Sequence, residues 1–440
     1  MTPLMSALEA LIQKGNSRFH MPGHKGRFEG PFSGIYPYDI TELEGLESLY
    51  DGVGAIAETE ARYTRLYNTK ASFLSAGGST LCIQAMLTLA CKPTSRLIMA
   101  RNAHTAAVSA MAMLDLHPVW IKPTQAQNGL LQQPGADEID SLLAANDDAR
   151  VVYLTSPDYY GNMADIAAIS AVCSRYGAVL LVDNAHGAHL NFLDGGLHPA
   201  RLGADICCDS LHKTLPVFTG GALLHIQNEK FIAGAKRAMS LFGSTSPSFL
   251  ILASADYTLD YLENRVRKEL AVLCGSLCGL HEAARGSGLV VSSGIYDPAR
   301  LTLSFAAAGY TREQFERLLE KHKITAEYLD DSFCVLLPSP QNTSEDFLRL
   351  RDMLEAEHPK MPLNNKRNLP PLPRVVCSIR EAVFAPQEII GVENAEGRTA
   401  GRIQTACPPG VPVLIPGEKI CKDCVRLFKS SGIYSVDVLR

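Results

Sequence analysis

The sequence has no excess of positive charge. Lys and Arg number 41 against 46 Asp and Glu, a net charge of −5. That balance argues against bulk electrostatic binding to nucleic acid or to an anionic membrane. No apolar run is long enough to span a bilayer. No signal peptide is expected, because Met1 to Lys14 is a short amphipathic stretch with Glu9 inside it. There is no internal repeat and no low-complexity tract. Charged residues are only 20% of the chain against 46% hydrophobic, which excludes a disordered polymer. A disulfide scaffold is excluded by placement, although there are 12 cysteines. Cys82, Cys91, Cys173, Cys207, Cys208, Cys274 and Cys278 sit in apolar or helix-like stretches, where cysteine behaves as a small hydrophobe. Cys421 and Cys424 form a CxxC without a second pair at zinc-finger spacing, so no structural metal is expected there. These absences leave a reduced, cytoplasmic, globular protein as the expectation.

What is present is a large α/β pattern. A length of 440 residues allows about three domains, or one large domain and a smaller one. Short apolar runs at Leu97–Ala100, Val119–Ile121, Val151–Leu154, Val179–Val182, Ile206–Cys208 and Leu223–Ile226 read as strands buried on both faces. Helix patterns at Ser79–Cys91, Thr105–Leu114 and Ile166–Tyr176 alternate with them, which predicts βαβ units and a mainly parallel sheet. One long helical stretch is expected over Ser248–Ala284, with a boundary at Gly286-Ser287-Gly288. Beyond it lies a smaller α+β region. It has strands at Leu301–Ala306 and Phe333–Leu337, and helices at Thr311–His322 and Thr343–Glu357. Thr311 and Gln314 are a capping box. Met361–Pro373 reads as an exposed connection. The expected divisions are an N-terminal segment 1–50, a large domain 51–285 and a small domain 286–440.

Four segments carry chemistry. Asp183-Asn184-Ala185-His186-Gly187-Ala188-His189 follows an apolar strand, where α/β folds place ligand contacts. Alone it reads first as a turn with solvated histidines, and second as metal ligands joined by His20 and His24. Asp209-Ser210-Leu211-His212-Lys213-Thr214 follows the next strand, about one βαβ unit later. A partly desolvated lysine there can form a Schiff base with a carbonyl. Ala76-Gly77-Gly78-Ser79-Thr80 opens a helix, where small residues and hydroxyls suit an anion. It lacks the Gly-Lys-Ser/Thr end of a Walker loop. Arg101-Asn102-Ala103-His104 ends another strand and offers an imidazole to a planar ligand or to a structural hydrogen bond. A phosphate cradle, a flat aromatic, a carboxylate and a lysine at successive strand ends are what pyridoxal 5′-phosphate (PLP) requires.

At this point the sequence resembles the Orn/Lys/Arg decarboxylase family of fold-type I PLP enzymes, the bacterial group with Ser-x-His-Lys at the cofactor lysine. The resemblance covers nearly the whole chain. It runs through Phe19-His20-Met21-Pro22-Gly23-His24-Lys25-Gly26, Asp39-Ile40-Thr41-Glu42-Leu43-Glu44-Gly45-Leu46, Gly78-Ser79-Thr80, Arg101–His104 and Thr155-Ser156-Pro157. It continues through Asp183–His189, Ser210–Pro216, Ser244–Ser248, Gly401-Arg402-Ile403, Pro408–Pro412 and Pro416-Gly417-Glu418. It implies a large, mainly parallel sheet with helices on both faces, plus a smaller α+β C-terminal domain. The implied reaction is decarboxylation of arginine, lysine or ornithine, with a place in polyamine biosynthesis.

The resemblance also implies roles. Lys213 would bind PLP covalently, Asp183 would pair with the pyridine nitrogen, and Ala185 would pack on the ring. His186 would lie near the ring oxygen or the substrate carboxylate, and His104 would stack on the opposite face. Gly78, Ser79, Thr80, Ser210 and His212 would hold the phosphate. Ser244, Thr245 and Ser246 would reach a phosphate in the neighbouring subunit of a homodimer or higher homo-oligomer with shared active sites. Asp39, Thr41 and Glu42 would lie at the substrate entrance, and the acids Asp39, Glu42, Glu44, Glu47 and Asp51 suit a cationic amino acid as well as they suit a solvated segment. No nucleic acid, membrane or metal partner is implied, and no assembly through a receiver-like N-terminal wing is expected.

Four positions depart from the family pattern. Asn184 replaces Glu, Leu211 a small polar residue, Thr105 a lysine, and Thr219-Gly220 a Thr-Gln pair. They leave open another PLP activity such as an aminotransferase or lyase, or a non-catalytic homologue. A metal-dependent hydrolase is the reading that the histidines alone would give.

Overall fold

The computed structural model describes residues 2–126, 129–289, 294–356, 360–363, 369, 371–405 and 412–440. After α1 (Pro3–Gln13) and α2 (Gly54–Tyr67), strands and helices alternate: β1 (Ala71–Ser75), α3 (Gly78–Ala90), β2 (Arg96–Ala100), α4 (Thr105–Leu114), β3 (His117–Ile121), α5 (Ala136–Ala145), β4 (Val151–Thr155), α6 (Ile166–Arg175) and β5 (Val179–Asp183). β6 (Ile206–Ser210) runs straight into the one-turn α7 (Leu211–Thr214), then come β7 (Ala222–Ile226), α8 (Ala235–Ser240), α9 (Phe249–Asn264) and α10 (Val266–Gly286). Seven strands form one sheet in the order β1-β7-β6-β5-β4-β2-β3.

The sheet is mainly parallel. β5 and β6 are parallel, with Asp183 opposite Cys208, and so are β2 and β3. β7 runs antiparallel to both β6 and β1. Every residue of β4, β5, β6 and β7 is buried, as strands covered on both faces require. The parallel pairing brings the carboxyl ends of β5 and β6 out on one edge, side by side. The polar residues that follow them share that edge.

The remaining elements are short. They are β8 (Leu301–Leu303), α11 (Arg312–Lys321), β9 (Tyr328–Leu329), β10 (Cys334–Leu336), α12 (Ser344–Ala356), α13 (Ile379–Phe384), β11 (Gln387–Gly391), β12 (Gln404–Thr405), β13 (Pro412–Leu414), α14 (Lys422–Ser430) and β14 (Ser435–Leu439). They make a three-stranded sheet β8-β10-β9 and two antiparallel pairs, β11-β14 and β12-β13.

Two compact units divide the chain. The first comprises residues up to Lys92, Val151–Tyr153 and Cys173–Arg267; the second comprises Pro93–Arg150, Leu154–Val172 and Lys268–Arg440. In the first, buried Asp256 on α9 accepts hydrogen bonds from Thr59 Oγ1 at 2.6 Å and Met5 N at 2.9 Å, which fastens α1 and α2 to α9. In the second, the expected Thr311–Gln314 capping box forms and starts α11, whose Phe315 stacks on Phe305 at 4.9 Å. A separate core of Val392, Leu414, Phe428, Val436 and Val438 lies under α14.

Most expected elements are present, with instructive differences. β1 went unread, because Ala-Ser-Phe-Leu-Ser has no apolar run; it is an edge strand held by antiparallel pairing to β7. The single helix expected over Ser248–Ala284 is two, broken at Arg265 (φ −127°). The guanidinium of Arg267, just beyond the break, donates to Asn191 O at 3.3 Å and lies over the Phe192 ring. The strand expected to reach Ala306 stops at Leu303, because residues 305–309 turn and Tyr310 N closes on Phe305 O. Residues 364–368 and 370 of the expected connection, and Pro408–Val411 of the C-terminal motif, lie outside the described residues.

Candidate active site

Asp183 is the last residue of β5 and is only 2% exposed. Its Oδ1 accepts the Ala185 backbone N–H at 3.1 Å, and its Oδ2 accepts the Tyr153 hydroxyl at 3.3 Å. The Cys208 thiol approaches Oδ1 at 3.9 Å, and burial pushes that thiol well above its usual pKa range. These donors are all neutral. A buried carboxylate so placed suits a cationic N–H from a ligand.

One strand over, Ser210 ends β6 and α7 begins at once, so Lys213 emerges within one turn of the strand end. Lys213 Nζ lies 3.1 Å from His186 Nε2, and His186 is itself buried in the loop after β5. Asp183 thus meets Ala185, and Lys213 meets His186, at the adjacent ends of β5 and β6.

The cradle residues also meet. Ser210 Oγ donates to Ser79 Oγ at 2.9 Å, joining the end of β6 to the start of α3. Gly78 adopts φ +66°, which favours glycine, and opens α3. Its own N–H donates to Gly220 O at 2.8 Å. Gly220 has φ +99°, and its N–H donates to His212 Nδ1 at 3.3 Å. The departure at 220 thus has a local cause: a side chain there would be strained, and its Cβ would press on Ala76 O at 3.3 Å.

Four further expected contributors are exposed. His104 belongs to the second unit, where it is exposed and caps α4, its Nδ1 accepting Ala106 N–H at 3.1 Å. Ser244 and Thr245 lie in an exposed loop, with Ser244 Oγ accepting Ser246 N–H at 3.1 Å. Thr80 is exposed on the first turn of α3. Near the N-terminus, Asp39 pairs with His24 at 3.1 Å, and Thr41 Oγ1 donates to Glu42.

Sequence reasoning missed a buried cluster behind this edge. Asp209 is fully buried and accepts from His198 Nε2 at 3.0 Å, His225 Nε2 at 3.3 Å and Asn184 Nδ2 at 2.7 Å. Burial alone would raise its pKa, but the facing His198 and His225 more than offset this and hold it well below the carboxylate range. Tyr67 stacks on His225 at 4.4 Å. Asn184 therefore replaces the family's Glu beside a carboxylate that needs a donor. His198, Asp209 and His225 form the one group with metal-ligand geometry among the described residues. The hydrogen bonding argues otherwise: His198 Nδ1 accepts Ala200 N–H at 3.3 Å, which places the ring proton on Nε2, toward Asp209. The only hint in the sequence is that Asp209 directly precedes Ser210. Asp183–His189, His20 and His24 form no such group among the described residues, and the Cys421 and Cys424 sulfurs lie 3.3 Å apart beside the C-terminal core.

The Orn/Lys/Arg decarboxylase major-domain model matches residues 2–275, and the C-terminal-domain model of the same family matches residues 374–432. The chain belongs to the Orn/Lys/Arg decarboxylase family. An arginine decarboxylase of Bacillus subtilis is 27% identical over 98% of this chain and 93% of that protein. The solved structure of lysine decarboxylase A from Pseudomonas aeruginosa superposes with a TM-score of 0.86 at 17% identity, covering 100% of this chain and 80% of the other. A structure described as SPT with PLP matches at a TM-score of 0.57 and 15% identity, over 80% and 83% of the two chains. This Orn/Lys/Arg decarboxylase family member is thus an amino acid decarboxylase with the fold-type I architecture, and family and fold indicate pyridoxal 5′-phosphate as its cofactor. The residues fit that group. A buried carboxylate with neutral donors suits the ring nitrogen, a lysine stands one strand away, and paired hydroxyls at a helix start suit the phosphate. Among the described residues no helix is long and apolar enough to cross a membrane.

Proposed function

We propose that the protein decarboxylates a basic amino acid to its amine and CO2, with arginine favoured over lysine and ornithine. The observation that carries this is the joint placement of Asp183, His186 and Lys213 at the adjacent ends of β5 and β6. Arginine is favoured because the Bacillus subtilis relative matched over nearly its whole length is named an arginine decarboxylase. When bound, the cofactor supplies an electron sink for the pair left on the substrate α-carbon as the carboxylate departs.

The chain's own residues do the rest. Lys213 would hold the cofactor through its aldehyde. Asp183 would pair with the pyridine nitrogen and keep a proton there, with Tyr153 and Ala185 N–H fixing the carboxylate. Ala185 would pack against the ring, and His104 would supply the imidazole that stacks on it. The α3 start with Gly78, Ser79 and Thr80, together with Ser210 and His212, holds the phosphate dianion. Lys213 Nζ or His186 Nε2, 3.1 Å apart, returns a proton to the α-carbon after CO2 has left. In a homodimer, exposed Ser244, Thr245 and Ser246 reach the neighbouring subunit's phosphate. Segment 1–50, with Asp39, Thr41 and Glu42, forms the entrance beside domains 51–285 and 286–440. A cytoplasmic setting accords with the free thiols.

The test is a visible absorbance spectrum of the purified protein, followed by arginine, lysine and ornithine with CO2, amine and keto-acid detection. We expect a cofactor band, and CO2 with amine from arginine. Lys213→Ala should remove both band and turnover. Keto acid without CO2 would overturn the decarboxylase reading.

A further inference from the structure

Arg101 follows β2 directly and is nearly sealed from solvent. Its Nη1 and Nη2 donate to Glu418 Oε1 and Oε2 at 2.6 and 2.7 Å, a two-pronged ion pair in which both side chains are at most 2% exposed. Arg101 Nε donates to Pro412 O at 3.4 Å, and its guanidinium lies 4.9 Å from the Trp120 ring centre. Glu418 is fixed in turn. Its Oε2 also accepts Ile415 N–H at 2.8 Å, and its backbone is tied to Ala400. Gly417, at φ +90°, leaves no room for a side chain, since a Cβ would meet Cys377 O at 2.4 Å.

Three residues after Arg101, His104 caps α4. The other end of α4 is held from the same C-terminal segment. α13 packs on α4, and Arg380 Nη1 donates to the carbonyls of Ala112 and Met113 at 3.2 and 2.9 Å. Those carbonyls lack helical partners, and a cation there complements the helix dipole.

We infer that Arg380 and the stretch Pro412–Glu418 brace the β2–α4 corner at both ends, so that Arg101, Glu418 and Arg380 are positioning residues for His104. This rests on the reading that His104 stacks on the cofactor. It adds that residues far along the chain set the orientation of that imidazole. A buried ion pair with two parallel hydrogen bonds fixes direction as well as distance, which one hydrogen bond from a flexible lysine would not.

The test uses the holoenzyme for kinetics and circular dichroism, and the apoprotein for amide exchange. Arg380→Ala alters an exposed side chain and should leave the protein folded. We expect amide exchange in α4 to quicken about fivefold. The visible dichroism of bound cofactor should change, and kcat should fall several-fold with KM held, while Arg380→Lys restores most of the loss. Because Arg101→Met alone would strand a buried carboxylate, the paired Arg101→Met/Glu418→Met variant replaces it. With its melting temperature near the parent's, that variant should lose about tenfold in kcat. Parental exchange, dichroism and kcat in both variants would overturn the brace. His104→Ala separates the two ideas. If it leaves dichroism and kcat unchanged, the stacking role of His104 falls, while exchange in α4 still decides the brace.

Discussion

Two buried aspartates lie at the carboxyl ends of neighbouring strands, Asp183 as the last residue of β5 and Asp209 as the last but one of β6, and their surroundings differ. Asp183 on β5 receives a tyrosine hydroxyl, one backbone N–H and a distant thiol. Asp209 on β6 receives two imidazole N–H groups and a carboxamide, all buried with it. Asp209 is thus fully served by its own chain, whereas Asp183 has capacity for one more strong donor. A saturated carboxylate fixes a strand end, and an under-served one is shaped for something that arrives later. The two lie in adjacent strands, so the first serves the second: Asn184, which follows Asp183, is anchored on Asp209, and Asp209 directly precedes Ser210.

The largest expected effect tests the under-served member. Asp183→Asn keeps the shape and removes the charge, so the protein should fold with a parental melting temperature. Turnover should fall by at least about a hundredfold, and cofactor affinity should drop as well, by titration of the visible band. Near-parental kcat would place the ring nitrogen elsewhere.

Asp209→Asn should show the opposite profile. It leaves two imidazole N–H groups facing an amide, so stability should fall by about 3 kcal/mol, read from urea unfolding of the apoprotein. The pH dependence gives the sign. Asp209 has a lowered folded pKa, so its contribution is full above the unfolded value near 4 and is lost as pH falls toward the folded one. The gap between parent and variant should therefore narrow on acidification below about pH 4. A gap that stays constant there would mean Asp209 is not the anion described.

The contrast between the two aspartates also marks what the sequence could reveal. Asp183 and Lys213 were legible because each follows an apolar run, and such runs report buried parallel strands. The helix Thr105–Leu114 was read to the residue because its pattern is uninterrupted. The network around Asp209 was not legible. His198 and His225 are distant in sequence from each other, and only the pairing of β6 with β7 and the loop after β5 bring them together. Asn184 and Gly220 looked like defects against the family pattern. In the fold one is the donor that a buried anion needs, and the other is a backbone position at φ +99° that favours glycine. Arg101 and Glu418 stand 317 positions apart, and no local pattern announces such a pair.

The smallest effect comes from Tyr153. Its hydroxyl is one of the neutral donors to Asp183, at a long 3.3 Å, and its ring is fully buried in β4. Tyr153→Phe keeps the packing and removes one weak bond, worth roughly 1 kcal/mol. If Asp183 is held mainly by the Ala185 N–H and by the arriving cofactor, kcat should fall only about fivefold, with fold stability nearly unchanged. A loss as large as that of Asp183→Asn would mean the tyrosine does more than orient the carboxylate. The two aspartates would then differ less than their donors suggest, because Asp183 too would depend on its own chain for its charge to be useful.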